Sequence, residues 1–168
     1  MTVSNRIRID TKTIDSMKEA FAKGGYVKVG VLGDDASRDD EGINNAELGI
    51  NNAELGMIQE FGSVSKNIPP RSFLRMPLEK KSEDFKKVAS TEAFKKSVEN
   101  GDLDTALQLI GFKAEEIVND AFVSSGFGEW AANAPSTVEQ KGSSKPLIDT
   151  SQLRRAISSE VVNNGEKA

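Results

Sequence analysis

Five carboxylates, Asp34, Asp35, Asp39, Asp40 and Glu41, crowd into residues 34–41 of this chain, and oxygen ligands at that density are what a hard cation binds. Their spacing does not complete a known cation loop. Counted from Asp35, position six of an EF-hand would be Asp40 rather than Gly, and position twelve Ala46 rather than Glu. A two-metal nuclease needs carboxylates converging from separate elements, an arrangement that a sequence does not show. Gly30 and Gly33 complete neither Gly-x-Gly-x-x-Gly nor a Gly-rich loop ending in Lys-Ser/Thr, so no phosphate cradle is indicated. The chain contains no His and no Cys, which removes the usual general base, the usual zinc ligand, Ser-His and Cys-His nucleophile pairs, and any disulfide framework. No catalytic residue, cofactor or metal is therefore expected. The acidic run, whose one apolar side chain is Ala36, reads as a solvated loop available for contacts.

Cationic chemistry is confined to a few places. Arg71, in Ile68-Pro-Pro-Arg71, has a planar fork able to hold a carboxylate of a neighbouring subunit or a DNA phosphate in bidentate fashion. The plainer reading is that Pro69-Pro70 sets the start of a following helix while Arg71 and Arg75 pair with local acids. Lys80-Lys81, Lys86-Lys87 and Lys95-Lys96 alternate with Glu79, Glu83, Asp84, Glu92 and Glu99, the pattern of a salt-bridged, solvated helix face. Lysines turned instead toward a DNA-filled lumen would make weak, salt-sensitive contacts.

The elements that must position these groups follow from periodicity. The chain has 168 residues, 37% hydrophobic and 29% charged, with a net charge of −4. That balance suits one domain spanning 1–168 and argues against nonspecific nucleic-acid binding, which leaves a basic footprint. No apolar leader and no run near the roughly 20 residues of a membrane span is present, so a soluble protein made in the cytoplasm is expected. Ile14, Met17, Ala20 and Phe21 mark a short helix stopped by Gly24-Gly25. Val27, Val29 and Val31 alternate in a strand. Gly42-Ile-Asn-Asn-Ala-Glu-Leu48 is repeated verbatim as residues 49–55, too short a unit for a solenoid. With the acidic run it forms an insertion over 34–56, of a kind tolerated at a surface because each doubling of a loop costs only about 0.6 kcal/mol. In the second copy Asn51 or Asn52 caps a helix whose apolar face is Ala53, Met57, Ile58 and Phe61, ended by Gly62. The first copy, with Asn44 and Asn45, extends that helix or loops out. A helix over 71–99, kinked near Pro77 and broken near Ser90-Thr91, leads to the strongest helix of the chain, carrying Leu103, Leu107, Ile110, Ala114, Ile117 and Ala121 toward the core. Residues 124–145 read as a long loop anchored by Trp130, with a helical turn after Pro135. A short helix through Gln152, Leu153 and Arg154 precedes a final strand at Ile157, Val161 and Val162, placed beside the first, and residues 163–168 form a flexible tail.

Four pieces in order carry a resemblance: Asn51-Asn-Ala-Glu-Leu-Gly-Met-Ile-Gln-Glu-Phe-Gly62, Ile68-Pro-Pro-Arg-Ser-Phe-Leu-Arg75, Trp130 with Pro135-Ser-Thr-Val, and Pro146-Leu-Ile-Asp-Thr-Ser-Gln-Leu-Arg-Arg155. Together they resemble the tailed-bacteriophage neck and tail-completion (virion morphogenesis, head–tail joining) proteins. The resemblance implies an α+β fold in which a small antiparallel sheet packs against one long helix plus shorter helices, with long loops used in ring assembly. It further implies a virion protein at the head–tail junction, a homo-oligomeric ring of about six or twelve copies. Its partners would be the head-completion or adaptor protein and the tail terminator or tail tube protein, with genomic DNA passing through the lumen unread. The tandem copy and the early end after the last strand depart from the family pattern, which leaves a tail terminator ring as an alternative. A small regulatory binding module is the alternative from a different class, although no basic recognition helix is present. Candidate contact residues are Asp34, Asp35, Asp39, Asp40, Glu41, Asn44, Asn45, Asn51, Asn52, Arg71, Arg75, Trp130, Arg154 and Arg155.

Overall fold

The computed structural model describes residues 11–33, 51–142, 144, 146 and 152–164, and over these the chain is α+β. The elements are α1 (Lys12–Lys23), β1 (Gly25–Val31), α2 (Asn52–Phe61), α3 (Arg75–Lys80), α4 (Ser82–Ala89), α5 (Glu92–Glu99), α6 (Leu103–Val123), α7 (Pro135–Lys141), α8 (Gln152–Arg155) and β2 (Ile157–Asn163).

The two strands pair antiparallel from Gly25↔Asn163 to Val31↔Ile157. Because side chains alternate across a strand, Val27, Val29 and Val31 share a face with Val161, Ser159 and Ile157. That face lies on α6, where Gly111 comes close to both Ser159 and Val27. The opposite face carries Tyr26, Lys28 and Glu160. A two-stranded ribbon is marginal by itself, and here α6 supplies the apolar support it needs.

Helix α6 is the organising element. Asp102 caps it by accepting from the Thr105 N–H at 3.0 Å, and that bond holds the Asp102 carboxyl below its ordinary pKa. The expected stripe is present, with Ala114, Ile117 and Ala121 buried. Val118 and Phe122 are also fully buried, which widens the apolar face. Phe122 sits at the centre of the core, with its ring centroid 5.4 Å from Phe73 and 5.7 Å from Trp130, the latter edge-on. Leu153 and Ile157 close the cluster from the C-terminal side.

The stretch over 71–99 is three helices rather than one kinked helix. The break at 90–91 falls as expected, with the Thr91 side chain capping α5 through Phe94 N. A second break occurs at Lys81. Pro77 belongs to the first turns of α3, where its missing N–H costs nothing, and it is buried. The lysines pair as a solvated face should: Lys86 with Glu83, Lys87 with Asp84, and Lys96 with Glu92. Lys80 reaches across to Glu129, and Lys80 and Lys81 stand over the Phe127 ring.

Two corrections concern α2 and the tail. The cap is Asn51, whose side chain accepts from Glu54 N at 2.9 Å while Glu54 accepts from Asn51 N at 3.0 Å, a reciprocal capping box. The inward face, however, is Asn52, Gly56 and Glu60, while Met57 and Phe61 are 64% and 69% exposed. Gly56 lets the Phe73 ring approach, since a Cβ there would lie 3.3 Å from it, and four donors draw Glu60 inward. At the other end Asn163 belongs to β2 rather than to a tail. The acidic run 34–41, the first copy with Asn44 and Asn45, and residues 165–168 lie outside the described residues.

The close approach of α6 to the sheet gives a first prediction. A Cβ on Gly111 would stand 2.6 Å from Ser159 Oγ and 3.0 Å from Ser159 Cβ, and Ser159 Oγ already donates to Glu115 at 2.6 Å. Gly→Ala in a helix interior gains about 1 kcal/mol of propensity, but overpacking costs about 1–3 kcal/mol. Gly111→Ala should therefore be net destabilising in urea denaturation. A more stable variant would show that the sheet yields without cost.

Candidate functional site

The motif residues converge on one place. Helix α2 ends at Gly62, with φ +76°, where a Cβ would lie 2.8 Å from Ile68 O and 2.9 Å from Pro70 N. Only glycine fits this return. The chain then makes a short hairpin in which Ser63 and Ile68 exchange N–H···O bonds of 2.9 Å, and Asn67 takes a left-handed turn conformation. Pro69-Pro70 carries it back along α2, where Arg71 N donates to Gln59 O at 2.6 Å.

Glu60, 7% exposed, receives this returning segment. Its carboxylate accepts from Ser72 Oγ at 2.6 Å and from the N–H groups of Phe73, Leu74 and Arg75 at 2.8, 3.0 and 3.2 Å. These donors lie at the start of α3, where helix N–H groups have no partner within the helix and the dipole favours an anion. Ser72 Oγ accepts in turn from Met76 N at 2.9 Å.

Arg71 and Trp130 fasten a third segment to the same point. Arg71 Nε donates to Ala131 O at 2.8 Å, and Nη2 donates to Ala132 O at 3.1 Å and Asn133 Oδ1 at 3.4 Å. Trp130 Nε1 donates to Ser72 O at 3.0 Å. The expected pairing of Arg71 with local acids is thus corrected: its partners are carbonyl and amide oxygens. Burial without a carboxylate lowers the pKa of the guanidinium from its ordinary value.

The remaining candidates divide between framework and surface. Trp130, expected at a contact surface, is a core residue; a lone large aromatic in a Gly-rich loop satisfies its own domain before a partner. Asn52 is buried on α2. Arg154 Nε donates to Asn119 Oδ1 at 2.8 Å, tying α8 to α6. Arg75 contributes its backbone N–H to Glu60, while its side chain and that of Arg155 are exposed. Asp34, Asp35, Asp39, Asp40, Glu41, Asn44 and Asn45 lie outside the described residues. Among the described residues no group of three or more carboxylates gathers to hold a metal ion, and no helix is long and apolar enough to cross a membrane.

Glu60 was not among the expected residues. Its signal was available: it falls at i+4 from Gly56 and i+8 from Asn52, on a face with no other charge, just before a Gly and a Pro-Pro turn.

Two surface features flank this knot. A groove of about 430 Å³ runs between β1 and α2, lined by Val29, Val31, Leu32, Met57, Phe61 and Leu74. A larger cleft, about 860 Å³, opens between the 63–68 hairpin and the start of α7. Val64, at the hairpin tip, is fully exposed. The groove is lined mainly by apolar side chains, and the cleft carries Lys66 and Arg71. No protein-family model, no curated protein and no solved structure matches the chain.

Proposed function

We propose that this chain is a structural protein of a tailed-phage virion, forming a ring at the head–tail junction that joins the capsid connector to the tail and lets DNA pass. One observation carries the reading. The residues on which the resemblance rests, Glu60, Arg71, Ser72 and Trp130, are hydrogen-bonded into a single knot that presents a hairpin and an apolar edge outward. Such a knot holds contact surfaces rigid, as heterologous packing around a closed ring requires. Exposed Met57, Phe61 and Val64 on one side of the molecule suit burial against a neighbour better than permanent exposure.

The test is the mass of the purified protein by light scattering, alone and after mixing with tails from a phage lacking it. A ring, or capture by tail ends with restored infectivity, is the expected result. A monomer or dimer that ignores tails would overturn the junction role.

A further inference from the structure

The cleft beside the 63–68 hairpin has an electrostatic character opposite to that of the chain as a whole. Among the described residues its wall contains two cations, Lys66 and Arg71, and no acidic residue, in a protein of net charge −4. Neither cation makes an ion pair among the described residues. Arg71 spends Nε and Nη2 on Ala131, Ala132 and Asn133, which leaves the Nη1 donors uncommitted among the described residues. Lys66 lies on an exposed turn. The exposed charge of Lys66, with that of Arg71 behind it held by neutral oxygens, attracts a carboxylate-rich segment, and Nη1 of Arg71 is the donor left to meet a carboxylate.

The chain carries one such segment. Residues 34–41 hold five acids against a single Arg, a charge pattern complementary to the cleft. We propose that the cleft is the receptor for the acidic stretch 34–41 of a second copy of this chain, a head-to-tail contact in which each subunit offers the segment to one neighbour and the cleft to the other. This rests on the ring reading, because a heterologous contact that closes produces a ring.

Binding of a synthetic peptide of residues 33–42 to the full-length protein, followed by the fluorescence of Trp130 next to Ala131 and Ala132, tests the cleft. The peptide should bind, and binding should weaken about fivefold with Lys66→Glu, the equivalent of about 1 kcal/mol for one partly exposed pair. It should weaken further as salt rises. A peptide with every Asp and Glu changed to its amide should not bind. Wild-type-like binding by Lys66→Glu, or no binding at all, would overturn the proposal. So would preferential capture of duplex DNA over the peptide.

Charge exchange identifies the donor of the segment. Lys66→Glu alone and Asp39→Lys/Asp40→Lys alone should each self-associate less than wild type, while an equal mixture of the two should recover association. Recovery only when all three changes share one chain would mean the segment folds back on its own cleft, against the proposal. Recovery in the mixture together with a wild-type protein that stops at a dimer in light scattering would support the contact while counting against the ring, so the two readings fail separately.

Discussion

Replacing Glu60 with Ala should lower the unfolding free energy by about 3–5 kcal/mol, since the N–H groups that it serves are left without an acceptor at a cost of about 1–3 kcal/mol each when buried. Phe73 N is fully buried and those of Leu74 and Arg75 are partly so, which keeps the total below the simple sum because water reaches the outer two. Against this stands the desolvation of a carboxylate that has no cationic partner among the described residues. The attraction wins because the donors are preorganised at a helix start, where no new ordering is needed to meet the charge. Glu60→Gln keeps one acceptor oxygen but puts an NH₂ group among donors, so it should fall between wild type and Glu60→Ala. Urea denaturation followed by circular dichroism checks both. A loss under about 1 kcal/mol for Glu60→Ala would mean water replaces the carboxylate without cost, and the knot would not be the rigid support that the function needs. Set against a typical total of about 5–15 kcal/mol, the expected loss is a large share of the stability.

The contrast between Glu60 and Phe61 shows what was legible in the sequence. Periodicity gave α2 its length and Asn51 its cap, because these depend on neighbours three and four residues away. It assigned the wrong face because the decisive partners, the N–H groups of residues 73–75, lie more than ten residues downstream. Hydrophobicity favoured Met57 and Phe61 as the buried side; a carboxylate with four donors outweighed them. The same limit explains Arg71. Its fork was recognisable, but its acceptors are main-chain carbonyls at 131 and 132, which no side-chain pattern announces. Helix α6 and the β1–β2 pair were readable throughout, since one carries a long stripe and the other a valine alternation. Of the candidate contact residues, the acidic run was visible as composition and the cleft proposed to receive it was not, because Lys66 and Arg71 line one cleft only when the hairpin folds.

Trp130→Ala should cost about 3–5 kcal/mol, the range for removing a large buried aromatic, and its effect should extend beyond the core. The ring packs edge-on against Phe122, and its Nε1 holds Ser72 O at 3.0 Å. The two residues after it present the carbonyls that satisfy Arg71, so displacing the ring also unseats a buried guanidinium. Trp130→Phe separates these effects. It retains a ring against Phe122 and loses the donor, for an expected cost of about 1–2 kcal/mol. Combining Trp130→Phe with Glu60→Gln then asks whether the motif acts as one unit, because Trp130 binds the main-chain oxygen of Ser72 while Glu60 binds its hydroxyl. Groups sharing a partner couple by about 0.5–3 kcal/mol, whereas independent sites add to within about 0.5 kcal/mol. The cycle should show coupling, with the double variant losing less than the two single losses together, since either change already frees the 72–75 segment. Strict additivity would show instead that the Trp130 loop and the α2 return are held separately, and the cleft between them would then lack a fixed shape for a neighbour to recognise.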